Sequence, residues 1–108
     1  MSFTASITDN NVDQFIALLE QAESDKDRSW CRKLLVAEVG RYAQFDLAEH
    51  RSSALDSRLA LCKDKIERQR KIVEDLRSAR RDATRAQILL GNLKVIHDTL
   101  AMARSKRT

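Results

Sequence analysis

Apolar residues recur along this chain at helical spacing, and the spacing breaks at two places. Val12, Phe15, Ile16 and Leu19 stand three and four residues apart, as one face of a helix requires. Asn11 opens this stripe and Gln14 stands three residues on, the spacing of a capping box. A short first helix is therefore predicted over 11–23. Residues 1–10 read as a loose arm in which Phe3 and Ile7 could pack down. The polar run after Leu19, AESDKD at 22–27, reads as the first turn.

A second helix start falls at Ser24 or Asp25, whose side chains can accept from a free N–H of the first turn. Asp25 and Asp27 also suit the positive end of the helix dipole. A heptad frame then runs through Cys31, Leu34, Glu38, Arg41, Phe45, Ala48, Ser52, Leu55, Leu59, Cys62, Ile66, Gln69, Val73 and Leu76 without a slip. Leu35, Tyr42 and Ile72 broaden it. Such a frame predicts one long central helix over 25–80, which would measure ~84 Å. Its weak core positions are Glu38, Arg41 and Ser52. A break would fall at 49–53, EHRSS, where a serine could cap a new helix.

The frame lapses at 79–83, where Arg80 and Ala83 occupy positions due to be apolar. Asp82 is a good N-cap, as is Thr84 with Gln87 three residues on. A reversal is predicted there, laying a last helix over 83–104 antiparallel to the second half of the long one. Residues 105–108 read as a frayed tail. Leu89, Leu93, Ile96 and Leu100 make one stripe of the last helix; Ile88, Val95 and Met102 make a second. A helix apolar over that much of its surface must touch more than one neighbour. Gly91 lies beside the second stripe, where it would admit another backbone closely. Ile88, Gly91, Val95 and Met102 are thus the candidate oligomer interface. The predicted fold is all-α, a coiled-coil-like helical bundle forming a single domain over 1–108.

Composition agrees with this pattern. The 108 residues include no proline and two glycines, and 33% are charged, which favours long helices. Aromatic residues, at 5%, are too few for a β-sandwich or barrel. No run approaches the ~20 apolar residues of a membrane span. The start, MSFTASIT, lacks the basic-then-apolar order of a secretory signal. Cys31 and Cys62 fit no disulfide framework. A reduced, cytoplasmic protein with no membrane partner is the expectation. A monomer of the predicted shape would leave much of the central stripe wet, at ~25 cal/mol per Å². A homo-oligomer, with a dimer favoured, follows.

Charge is unevenly spread. Residues 1–62 carry 7 basic and 10 acidic side chains, whereas residues 63–108 carry 13 and 6. The basic half points to an acidic partner, with Arg77, Arg80, Arg81 and Arg85 as the candidate contacts. Much of the charge at 63–77 falls at helical pair spacing, Asp64 with Arg68, Glu67 with Lys71 and Arg70 with Glu74, which reads as a solvated face. No base-reading pattern accompanies it. Gln69 sits in the middle of the seam. It reads either as a register residue, as buried amides act in coiled coils, or as a partly exposed position at the hairpin rim.

Nothing here suggests catalysis. The chain has no phosphate-cradling glycine loop, no nucleophile elbow and no helix with paired metal ligands. His50 and His97 are distant in sequence, and His97 reads as a boundary residue. Cys31 and Cys62 read as buried, inert thiols. Trp30 reads as a staple of the first helix onto the second. No metal and no cofactor is expected.

Arg68-Gln69-Arg70, Ile72-Val73, Asp75-Leu76, Arg81-Asp82, Ala86, Leu89-Leu90, Leu93 and Leu100 together resemble a pattern found in small, uncharacterised helical proteins of alphaproteobacteria. Asp25, Arg28, Leu34-Leu35 and Glu38 resemble a short segment of related proteins. The resemblance covers about two-thirds of the chain and implies a helical hairpin in a bacterial, cytoplasmic setting. It implies no activity. Similar proteins carry a glycine in the turn where this chain has Arg80. The function expected is a non-enzymatic, self-associating protein–protein interaction module: a scaffold, adaptor or regulator of an unknown protein partner. The alternative is a basic protein binding nucleic acid non-specifically through its C-terminal half.

Overall fold

The computed structural model describes residues 3–44 and 47–105. Phe45 of the heptad frame, the side chain of Phe3 and the tail residues 106–108 lie outside them. With no proline in the chain, helices run until a turn is chemically specified. Among the described residues there are four helices and no strand: α1 (Phe3–Glu20), α2 (Asp25–Gln44), α3 (Ala48–Ser78) and α4 (Thr84–Ser105).

Side-chain pairs fix the directions. Asn11 Nδ2 donates to Glu38 Oε1 at 3.1 Å, and the Tyr42 hydroxyl donates to Asp9, so α1 and α2 are antiparallel. Arg104 meets Asp56 at 2.8 Å, the Cys62 thiol donates to the Leu93 carbonyl at 3.3 Å, and Gln69 Nε2 donates to the Ala86 carbonyl at 3.0 Å. Partners descend along α4 as they ascend along α3, so these two are antiparallel as well. The molecule is two helical hairpins, α1/α2 and α3/α4, packed on one core of Val12, Leu19, Leu35, Tyr42, Leu55, Ile96 and Leu100 among others.

Three expectations are corrected. The arm at 1–10 is helical from Phe3, and Asn11 is an interior residue of α1, not its cap. Helix α1 also ends at Glu20, short of residue 23. The long central helix is two helices. Its longest possible form, ~84 Å, exceeds the 51 Å length of the whole molecule. The division lies between Gln44 and Ala48, whereas 49–53 is uninterrupted helix within α3. Doubling back shifts the buried stripe of α2. Leu35, Val39 and Tyr42 are buried there, while Leu34 is half-buried and Arg41 exposed. On α3 the frame holds, with Leu55, Cys62, Gln69 and Val73 all buried. Much of the stripe that seemed to need a second copy is therefore covered within one chain.

The turns differ in how firmly they are built. At the α3–α4 reversal, the Arg80 N–H donates to the Arg77 carbonyl at 3.0 Å and the Arg81 N–H to the Leu76 carbonyl at 2.8 Å. Arg80 has φ 56°, positive for a residue with a Cβ. This is the paired bonding of a Schellman motif, which glycine usually supplies. Asp82 then accepts from the Thr84 hydroxyl at 2.6 Å and the Thr84 N–H at 3.0 Å. At the α1–α2 turn, Ser24 Oγ accepts from the Asp27 N–H at 3.1 Å, an N-cap bond. At the α2–α3 junction, the N-cap position is Leu47, with no side-chain cap bond.

Candidate functional site

Helices α1 and α3 approach each other least of all the helix pairs, and charged side chains bridge them. Asp9, Asp13 and Glu20 lie along one flank of α1. They meet His50 at 2.7 Å, Arg58 at 2.7 Å and Lys65 at 3.0 Å on α3. Arg58 grips both oxygens of Asp13 and also donates to the Ala54 carbonyl at 3.0 Å. Burial works against the Arg58 charge, but its hydrogen bond to Asp13 and that carboxylate's charge hold its pKa above the ordinary value. Below the bridges is a cavity of about 190 Å³, with Ile16, Leu61, Cys62 and Ile96 in its walls.

One end of this seam is a polar node. Asp9 accepts from the Tyr42 hydroxyl and stands 2.7 Å from His50 Nε2, and the Tyr42 and His50 rings are 5.8 Å apart. Burial first, and then the bond to Asp9, push the Tyr42 hydroxyl far above its ordinary value. With Tyr42 fully buried and Asp9 and His50 partly exposed, the node ties three helices together. The other end is Asn92, fully buried on α4. Its Nδ2 donates to the carbonyls of Glu20 at 3.1 Å and Ala22 at 2.8 Å, and its Oδ1 accepts from Arg28 Nε at 2.5 Å. It thereby serves the carbonyl end of α1 and the start of α2 at once. The sequence reading missed both. The available signal was the acidic flank of Asp9, Asp13 and Glu20 beside the apolar stripe of α1.

Both cysteines are buried and free. Burial, then the charge of Glu20, raise the Cys62 thiol pKa. Trp30 is 63% exposed, so it does not staple the first two helices together. His97 is half-exposed beside Asp98. No group of three or more His, Cys, Asp or Glu that could hold a metal occurs among the described residues.

The α4 strip is partly uncovered. Met102 is 54% and Ile88 37% exposed, Gly91 is exposed, and Val95 is half-buried against the core. Val36 of α2, 43% exposed, lies with Met102 along a groove that also includes Gly40, Ala43 and Ala103. Arg32 reaches Met102 across it, Nη2 to Sδ 4.0 Å. Gly40 and Gly91 have open space where a Cβ would stand, so neither is required by a close approach within the chain.

At the hairpin tip, Arg77, Arg80, Arg81 and Arg85 are all exposed. Gln87, turned so that its amide oxygen faces α3, accepts from Arg77 Nε at 3.2 Å. Of the charge pairs expected on α3, Asp64 with Arg68 forms at 2.8 Å; the pairs of Glu67 with Lys71 and Arg70 with Glu74 do not form. Gln69 is buried, and its Nε2 donates to the Ala86 carbonyl of α4 inside the hairpin. No helix among the described residues is long and apolar enough to cross a membrane. No protein-family model matches the chain, and neither a curated protein nor a solved structure matches it at a significant level.

Proposed function

We propose that this chain is a non-enzymatic helical interaction module that associates with itself and docks a protein partner, in the manner of a scaffold, adaptor or regulator. One observation carries the reading: Met102 of α4 and Val36 of α2, both substantially exposed, line one groove, and Ile88 stands exposed further along α4. Singly exposed apolar residues are ordinary. Two that line one groove, with Gly40, Ala43 and Ala103 beside them, suit the apolar face of an incoming helix. The coiled-coil character expected of the long frame belongs to such an assembly, in which α4 would meet a helix of another chain.

The test is the double substitution Ile88→Glu and Met102→Glu. Both positions are exposed, so thermal stability should shift by no more than a few degrees. Capture of partner proteins by the tagged chain should fall at least tenfold. Unchanged capture would sink this strip as the docking surface.

A second reading rests on Arg80, Arg81 and Arg85, which are exposed at the tip and form no ion pair among the described residues. Sequence-independent contact with phosphates would use them, and it would weaken steeply with salt. Nuclease treatment during the same capture separates the two readings. Partners that survive nuclease support the protein-docking module; partners lost with the nucleic acid support the alternative.

A further inference from the structure

The groove between α2 and α4 is apolar, and the charged side chains on its lining are of one sign. The two helices run in the same direction: Arg28 meets Asn92, and further along both, residues 36–43 border one side of the groove and 99–103 the other. Val39 and Thr99, both buried, form its floor. The Thr99 hydroxyl donates to the Val95 carbonyl at 2.7 Å, so it is satisfied within α4 and asks nothing of an occupant. Val36 and Met102 stand exposed at the rims. Gly40 leaves open space where a Cβ would be. Arg32 and Ala43, the outermost lining residues of α2, are 11 positions apart, about 16 Å along the helix axis. That length matches three turns of a docked helix.

Arg32 and Arg51 are the charged residues of this lining, and no carboxylate accompanies them. Arg32 is exposed, and its guanidinium reaches only the Met102 thioether, at 4.0 Å. A thioether is a weak acceptor and leaves the charge unbalanced. An incoming helix with carboxylates on its edge would exchange that contact for a charge-assisted one. A helix with basic edges would set like charges together. A phosphate backbone would meet the arginines but leave Val36 and Met102 wet.

The other exposed apolar residues of this chain offer no face of the opposite sign. Ile7 and Leu18 of α1 have no charged residue one turn away. Leu61 and Ile72 of α3 stand one turn from Arg58, Lys65 and Arg68 as well as from Asp64 and Asp75. A second copy is therefore a poor match for this groove. We infer that the α2/α4 groove docks an acidic amphipathic helix of a different protein, its apolar face laid between Val36 and Met102 and a carboxylate of its edge on Arg32. The inference rests on the docking reading above and names the chemistry of the partner.

The probe is a fluorescein-labelled peptide of about 15 residues, long enough to hold a helix, with leucine and alanine on one face and glutamate along both edges. Its counterpart carries lysine in place of each glutamate. Fluorescence anisotropy with the full chain should show saturable binding of the glutamate peptide, at least tenfold tighter than that of the lysine peptide. Arg32→Glu should remove most of this preference. Gly40→Leu puts a side chain into the open space of the groove. It replaces a glycine inside a helix, so Tm should hold or rise, while binding of the glutamate peptide should fall at least tenfold. Equal binding of the two peptides, or a preference that Arg32→Glu leaves intact, overturns the acidic partner. Glutamate-peptide binding that survives Gly40→Leu overturns the groove as its seat, and no saturable binding at sub-millimolar concentration overturns the inference outright. A self-associated wild type that Gly40→Leu dissociates would put a second copy in the groove and overturn it as well. Capture by the Ile88→Glu and Met102→Glu variant decides the docking reading separately. Capture lost there, with no binding of the glutamate peptide here, leaves the docking module standing and removes only its acidic partner.

Discussion

Arg80 sits where the backbone must turn left-handed, at φ 56°, which costs an L-residue about 1–2 kcal/mol. Glycine escapes that cost but loses about 0.5–1 kcal/mol more chain entropy on folding. Arg80→Gly should therefore stabilise the protein by up to about 1 kcal/mol, raising Tm by about 4 °C. Arg80→Ala keeps the Cβ and should bring no such gain; thermal circular dichroism compares the three. The position was legible in sequence, because the heptad frame lapses there. Its handedness was not, because an arginine signals nothing about φ. Two ionisable groups give a pH prediction at this same scale. The Thr84 hydroxyl and N–H hold the Asp82 carboxyl below its ordinary range. What Asp82 contributes is thus present above the ordinary carboxylate value and lost as pH falls through its lower folded value. Tyr42, raised chiefly by burial, contributes below the ordinary tyrosine value, and that contribution is lost as pH rises towards its folded value. The protection of the Thr84 amide, taken relative to its intrinsic exchange rate at each pH, should fall in acid in the wild type, and Asp82→Asn should remove that dependence.

At the scale of helices, fold class and the two well-marked turns were readable and the junctions between hairpins were not. Ser24 and Asp82 are short polar side chains at the ends of apolar stripes, and both make the bonds such residues make at helix starts. Leu47 is apolar, belongs to the core periphery and gives no local sign that a helix begins beside it. Tertiary packing of α2 against α1 and α4 decides that reversal, and a heptad count along one chain does not include it. Asn92 was hidden for a related reason, since an asparagine inside a helix reads as solvent-facing until its partners on another helix are known. Asn92→Ala would strand the Glu20 and Ala22 carbonyls and the Arg28 guanidinium in or near the core. Unsatisfied buried groups cost about 1–3 kcal/mol each, partly relieved by water near the turn. A net loss of about 3 kcal/mol in urea unfolding, with an unchanged m-value, is expected.

For the whole molecule, the two hairpins are the natural units, and thiol chemistry can follow their separation. Cys62 lies in the wall of the cavity between α1 and α3, with its pKa raised and its Sγ bonded to Leu93. Cys31 is buried on α2 in the shared core. Neither thiol should react with an aromatic disulfide reagent at a rate near that of the unfolded chain. Asp13→Ala, which removes the Arg58 bridge, should speed labelling of Cys62 more than that of Cys31. Equal acceleration would mean that the chain opens only by unfolding as a whole. The sequence reading placed both cysteines in the core correctly, but it had no means of placing one of them beneath a seam.

Trp30 has a consequence for how this protein can be watched at all. It is the only tryptophan in the chain and stands 63% exposed, so its indole already samples water in the folded state. Intrinsic emission should peak near the solvated limit before and after denaturation, making the usual fluorescence melt nearly silent. The same silence is useful in a mixture. A blue shift on adding another macromolecule would report the covering of that corner of α2 against a flat background, with no contribution from folding.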